Sequence, residues 1–133
     1  MASIKILVVD DDESILVLLE KRLQTDGYQI IKAATGKEAV SKAQLFSPHL
    51  IIMDIMLPDV DGPEAFKRIR AHPGTCHIPV VFLSGIVEET GDTPPTVTID
   101  NETYTAVSKP IDFALLSNAI HKNILEGEED SGG

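Results

Sequence analysis

The sequence predicts an α/β fold, a parallel sheet with helices packed on both faces. Three observations predict it. Short apolar runs rich in β-branched residues alternate with amphipathic helical patterns, which is the order of βαβ units. The runs at 4–9, 50–53 and 78–83 carry almost no charge, as strands buried on both faces do. Each of these runs also stops at polar residues, namely Asp10-Asp11-Asp12, Asp54 and Ser84-Gly85. A length of 133 residues suits one domain able to bury a core without disulfides or a structural metal.

The first strand covers residues 4–9, with Lys5 its only charge. Ile15, Leu18, Leu19 and Leu23 then share one face of a helix that Asp12 can cap and Gly27 can end. Residues 28–33 read as a second strand, where Gln29 and Lys32 point to an edge position. Thr35 followed by Glu38 is a capping-box pattern, and it opens a helix with Ala39, Val40 and Ala43 turned inward. The third strand, 50–53, ends at Asp54, and 57–62 is a loop. Pro63 suits the first turn of a short helix carrying Ala65, Phe66 and Ile69.

Pro73-Gly74 breaks the chain before the fourth strand at 78–83. A fifth, 104–108, ends at Lys109-Pro110. Asp112 can cap a last helix with Phe113, Leu116, Ile120 and Ile124 on one face. Between the fourth and fifth strands the pattern changes. Pro94-Pro95 and the Thr- and Val-rich stretch after them oppose a helix. The reading there is a loop, then an extended segment turning near Asp100-Asn101, with any helix confined to about a turn near 87–91. The domain is expected to span 1–125, with 126–133 a disordered acidic tail.

Composition excludes several classes. Eleven Lys and Arg against 21 Asp and Glu leave a net charge of −10, so the domain lacks the basic footprint needed to grip nucleic acid. No apolar run approaches the ~20 residues of a membrane-spanning helix. The opening MASIKILVVDDD does not read as a signal peptide, because its apolar run is short and ends in acids. A single cysteine, Cys76, excludes an internal disulfide and fits a reducing, cytoplasmic setting. His72, Cys76 and His77 lack a second ligand cluster and read as a solvated loop rather than a metal site. No P-loop and no GxGxxG is present.

In open α/β sheets ligands sit beyond the C-terminal ends of the strands. Those ends carry acids, a hydroxyl and one lysine. Taken singly each has a bland reading: an acid caps the next helix, Ser-Gly turns, Lys-Pro bends. Together they form a coherent chemistry. Neighbouring carboxylates repel unless neutralised, and a hard divalent cation such as Mg²⁺ does that with carboxylate oxygens. Asp54 could then act as an aspartyl nucleophile towards phosphorus. Lys109 would balance charge on the transferring group, and the Ser84 hydroxyl and Gly85 N–H would bind its oxygens.

Through ILVVDDD, IIMDIMLPDVDG, VVFLSG and SKP the sequence resembles the receiver domain of bacterial two-component response regulators, from residue 4 to about 125 with a break at 86–106. The resemblance implies a flavodoxin-like fold, a doubly wound five-stranded parallel sheet of order 2-1-3-4-5 with helices on both faces. The family's fourth helix is expected to be short or missing here. It implies that Asp54 is the phospho-acceptor. Mg²⁺ would be held by Asp11 directly, by Asp10 through water, by Asp54 and by the Met56 carbonyl. Ser84 would be the switch hydroxyl, Gly85 the small residue beside the phosphoryl group, and Lys109 the family's lysine, followed by a cis bond to Pro110. Pro58, Asp61 and Gly62 match the loop that closes over the acceptor. The partner implied is a histidine kinase or phosphotransfer protein, with no membrane and no nucleic acid. The domain would not be an enzyme beyond catalysing its own phosphoryl transfer and dephosphorylation. One position departs: the family's aromatic three residues before the lysine is Ala106, with Tyr104 two residues earlier on the same strand face.

Two other readings compete. A degenerate receiver could serve as a binding module, which the altered stretch 86–106 favours and the complete acid–Ser–Lys set opposes. Asp10-x-Asp12 also resembles the nucleophile motif of haloacid-dehalogenase-type phosphatases, with Asp10 as nucleophile. The helix pattern that begins directly after Asp12 leaves no room for their flap.

Overall fold

The computed structural model describes residues 3–85 and 96–131, with side chains to 124. Strands β1 (Lys5–Val9), β2 (Gln29–Ala33), β3 (Leu50–Asp54) and β4 (Val80–Ser84) alternate with helices α1 (Glu13–Thr25), α2 (Gly36–Phe46) and α3 (Gly62–Ala71). A hairpin of β5 (Thr96–Ile99) and β6 (Glu102–Ser108) follows, then α4 (Phe113–Ser131). The sheet runs β2-β1-β3-β4-β6-β5, with β2 at an edge as Gln29 and Lys32 indicated. Its first five members are parallel, and β5 alone is antiparallel to its neighbour.

Each helix starts where its capping chemistry says. The Asp12 carboxylate accepts from the Ser14 amide at 2.9 Å, Thr35 Oγ1 from the Glu38 amide at 3.1 Å, and Asp61 from the Glu64 amide at 2.8 Å. Gly27 adopts φ +93° and closes α1, its N–H donating to Gln24 while the Tyr28 N–H donates to Leu23, so two end carbonyls are satisfied.

Strand alternation divides the core in two. Leu7, Val9, Ile51, Met53, Phe82 and Ala106 face α2 and α3, where Ala39, Ala43, Phe66 and Ile69 cover them. Ile6, Val8, Leu50, Ile52, Val81 and Leu83 face the other way, against Leu16, Leu19 and Leu23 of α1 and Leu116 and Ile120 of α4. Full burial of side chains of this size contributes roughly 1.5–3 kcal/mol each. Among the described residues helices cover both faces, and the polar side chains of the sheet gather at its strand ends.

Two expectations need correction. The parallel order 2-1-3-4-5 holds with β6 as its fifth strand, but the sheet has six strands, because the extended segment joins it at the edge as β5. Asp100 and Asn101, at φ +51° and +69°, form a two-residue turn whose twist suits a hairpin. Val97 and Ile99 bury themselves beside Tyr104 on the α3 side. Second, residues 126–131, expected to be disordered, continue α4 as helix to Ser131. Glu is a good helix former, and extending a packed helix avoids the cost of nucleation. The expected short or missing helix near 87–91 lies outside the described residues.

Candidate functional site

The strand ends meet at one edge of the sheet. Asp10 follows β1 and is fully buried; Asp54 closes β3 and is 5% exposed. Register places Asp54 opposite Leu83 and Ser84 opposite Ser108. The Lys109 amide donates to the Ser84 carbonyl at 2.9 Å, which ties the lysine backbone to the end of β4. The peptide bond from Lys109 to Pro110 is cis.

Lys109 Nζ then reaches across the edge. It lies 2.6 Å from Oδ2 of Asp10 and 2.8 Å from Oδ2 of Asp54. The contact to Asp54 is a hydrogen bond; the one to Asp10 is an ion pair off hydrogen-bond geometry, leaving a buried carboxylate oxygen without a hydrogen bond. Backbone amides fix the other oxygens: Asp12 N–H donates to Oδ1 of Asp10 at 2.9 Å and Met56 N–H to Oδ1 of Asp54 at 3.0 Å.

Electrostatics follow from this crowding. Burial pushes the Asp10 carboxyl up, more than Lys109 and the Asp12 amide lower it. Burial alone would lower the Lys109 ammonium, but the carboxylates of Asp10 and Asp54 outweigh it and hold the group raised, so it stays charged. One ammonium thus serves a cluster of acids.

Asp11 completes that cluster from an exposed position. One carboxylate oxygen from each of Asp10, Asp11 and Asp54 lies within 4.8 Å of the others. Three hard oxygen donors, a surplus of negative charge and an incompletely satisfied Asp10 oxygen fit a divalent cation of the Mg²⁺ type. Among the described residues no other group of three His, Cys, Asp or Glu residues meets that geometry. His72, Cys76 and His77 are exposed and belong to no such group.

The remaining expected residues fall around this centre. Ser84 is the last residue of β4, and Gly85 follows it, with nothing among the described residues within 4 Å of where a Cβ would stand. Met56 is 66% exposed just beyond Asp54. Asp61 caps α3. Gly62 packs so tightly that a Cβ would overlap the Asp54 carbonyl oxygen and lie 2.9 Å from the Ile55 Cα. Ala106 is buried opposite Phe82. Tyr104 is packed edge-to-face on Phe66, ring centres 4.7 Å apart, and its hydroxyl donates to Glu102 at 2.7 Å.

One residue near the site carries no motif signal. Asp59 bridges to α2, its Oδ1 accepting from the Gly36 amide at 2.8 Å and its Oδ2 from the Lys37 amide at 2.9 Å. A surface acid after a proline reads as loop, and its partners lie more than twenty residues away. The only hint in the sequence is that Gly36 and Lys37 open a helix whose cap, Thr35, can serve one amide.

Residues 6–121 match the family model of the response regulator receiver domain. The chain is 45% identical over 85 residues to the alkaline phosphatase synthesis transcriptional regulatory protein PhoP of Bacillus subtilis, covering 64% of this chain and 35% of that protein. It is 33% identical over 114 residues to response regulator PleD of Caulobacter vibrioides, covering 86% of this chain and 24% of PleD. It therefore spans roughly a quarter to a third of these two curated relatives. The crystal structure of chemotaxis response regulator CheY4 of Vibrio cholerae superposes with a TM-score of 0.75 at 26% identity, over 92% of this chain and 99% of that one. The matched region begins before Asp10 and ends beyond Lys109, so the whole acidic cluster falls inside it, and the chain belongs to the response regulator receiver domain family.

Proposed function

We propose that this domain accepts a phosphoryl group on Asp54 from a histidine kinase or phosphotransfer protein, in the presence of Mg²⁺, and changes conformation in response. The observation that carries this reading is the convergence of Asp10 and Asp54 on Lys109 beside the exposed Asp11.

In the step itself an Asp54 carboxylate oxygen attacks the donor phosphorus. A new O–P bond forms as the bond from phosphorus to the donor imidazole breaks, and the imidazole nitrogen takes up a proton. Mg²⁺, held by Asp10, Asp11, Asp54 and the Met56 carbonyl, would neutralise the acids and draw charge from the phosphoryl oxygens. Lys109 already touches Asp54, so its ammonium is placed to follow charge onto the phosphoryl group. The Ser84 hydroxyl and the Gly85 N–H sit at the neighbouring strand end to bind phosphoryl oxygens. The Met56 N–H orients the nucleophile by holding Oδ1 of Asp54. The domain then acts on itself only, as acceptor and in later hydrolysis, from a cytoplasmic location. Among the described residues no helix is long and apolar enough to cross a membrane.

Intact-mass measurement with acetyl phosphate and Mg²⁺ tests this on wild type, Asp54→Ala and Asp10→Ala. Wild type should gain one phosphoryl group and Asp54→Ala none. A gain that survives Asp54→Ala and disappears in Asp10→Ala would establish a phosphatase-type nucleophile. No gain in wild type would leave a degenerate receiver acting as a binding module. Neither alternative is supported by the relatives, and Asp10 is fully buried, with its Oδ2 ion-paired to Lys109.

A further inference from the structure

We propose that Asp59 is a positioning residue for the Asp54 site: by clamping the β3–α3 segment onto the first turn of α2, it holds the Met56 backbone where Mg²⁺ is bound. The inference rests on the acceptor-site reading above and adds to it a residue outside the cluster.

The clamp has a polar and a steric half. The two Asp59 oxygens take one amide each, Gly36 at 2.8 Å and Lys37 at 2.9 Å. Beside them Val60 leans on Gly36 so closely that a Cβ at residue 36 would lie 2.7 Å from the Val60 carbonyl oxygen. Gly36 is therefore required for the approach of the segment, and Asp59 locks it once there. The helix end favours a carboxylate at this point, since its first amides are unpaired and its dipole is positive. Those amides hold the Asp59 carboxyl down to about 2, so the clamp stays charged under all ordinary conditions.

The other end of the segment belongs to the acceptor site. Met56 N–H donates to Oδ1 of Asp54, Ile55 N–H to the Leu83 carbonyl at 3.0 Å, and Gly62 N–H back to the Ile55 carbonyl at 2.8 Å. Asp61 is committed to capping α3. From Met56 to Asp59 is three residues, a reach over which a fixed end limits the other. Helix α2 has its own cap, because Thr35 serves the Glu38 amide. Asp59 completes the first turn from outside, and what it adds is a tie between α2 and the backbone beside Asp54.

A purely structural cap would stabilise α2 and leave the metal site alone, so the test must separate the two. Mg²⁺ is titrated by calorimetry into wild type, Asp59→Ala, Asp59→Asn and Gly36→Ala, all as the full chain. Amide exchange is followed by NMR at Gly36, Lys37, Met56 and, as a core control, Ile52. The positioning role predicts Mg²⁺ affinity weaker by about three- to tenfold in Asp59→Ala and Gly36→Ala, below the 10–100-fold typical of groups bonded directly to metal ligands. It also predicts faster exchange at Met56 with Ile52 unchanged. Asp59→Asn keeps one acceptor oxygen for two amides and should fall between, so it carries the test if Asp59→Ala does not fold. Wild-type Mg²⁺ affinity and an unchanged Met56 amide in a folded variant that has lost protection at Gly36 and Lys37 would make Asp59 a helix cap and overturn the inference. A wild type that takes up no Mg²⁺ overturns it along with the metal site. A wild type that binds Mg²⁺ without gaining phosphate on Asp54 defeats the acceptor reading alone, and the Asp59 inference is then decided by the affinities.

Discussion

Lys109 Nζ lies 2.8 Å from Oδ2 of Asp54, a residue 55 positions earlier in the chain. The same ammonium is 2.6 Å from Asp10. Three strand ends are thus joined through one cation. The arrangement costs stability: Asp10 gives up its hydration, and the acids repel each other with one lysine to offset them.

That imbalance gives a first prediction. Mg²⁺ binds the folded cluster and not the unfolded chain, so it should stabilise the domain by mass action, by about 2.7 kcal/mol at a hundredfold excess over Kd. Thermal melts with and without millimolar Mg²⁺ should differ clearly in wild type. Asp11→Ala removes an exposed ligand without disturbing the core, and should shrink the difference. Equal melting temperatures for wild type would remove the metal site.

Gly62 supplies a second. A methyl group there would overlap the Asp54 carbonyl oxygen and press on the Ile55 Cα, both backbone atoms that cannot rotate away. Gly62→Ala should destabilise the fold by about 1–3 kcal/mol, the usual cost of overpacking. It should also slow labelling of Asp54, since relief requires moving the acceptor's own backbone. Urea melts and the rate of mass gain check the two effects. An unchanged labelling rate in a destabilised variant would separate packing from function.

Why some of this was readable in the sequence and some was not follows from the physics of each part. Asp10, Asp54, Ser84 and Lys109 are legible because a buried strand must be apolar, and the point where it stops being apolar marks the sheet edge. The hairpin is half legible. Pro94-Pro95 and the β-branched residues after them oppose a helix, but strand propensity does not choose a partner. The acidic end of α4 misleads because charge and Gly127 look like a tail, whereas the packed helix before it supplies the nucleus. Asp59 is barely legible, because its partners are two amides of another element and the sequence shows only that the first turn of that helix has amides its own cap does not serve.

The Asp59 carboxyl also sets a pH dependence. Its folded pKa, about 2, lies below the ordinary 3.8 because the Lys37 and Gly36 amides bind the ionised form. A depressed acid contributes stability that is present above about 3.8 and lost as the pH falls towards 2. Asp12, lowered by its bonds to Ser14, acts in the same direction. Melts between pH 2 and 5 should therefore show a shallower loss in Asp59→Asn than in wild type. Identical slopes would show that Asp59 is equally protonated in both states.

The last prediction concerns the response to phosphate. Phosphorylation adds a charge of roughly −1.5 to −2 beside Asp10 and Asp11, which draws Lys109 and the Ser84 strand end towards Asp54. In the resembling family an aromatic ring moves into the space this frees, but here that position is Ala106, buried opposite Phe82. A methyl group cannot gate such a space. Tyr104, two residues earlier on the same strand, is already engaged with Phe66 and Glu102. Moving it would forfeit an aromatic contact of about 0.5–1.5 kcal/mol and a hydrogen bond of similar net value. Turning a state populated at ~1% into the dominant one takes about 5.5 kcal/mol of differential stabilisation. One charge-assisted contact supplies about 1.5–3 kcal/mol. The switch should therefore be partial and carried by backbone, at Ser84 and along 96–104. Amide exchange with and without beryllofluoride, a phosphoryl mimic, should show altered protection there. Changes confined to the segment from Asp54 to Gly62 would show that the signal does not travel by this route. If Tyr104→Ala leaves the shift intact, the ring is a bystander and the strand backbone alone transmits it.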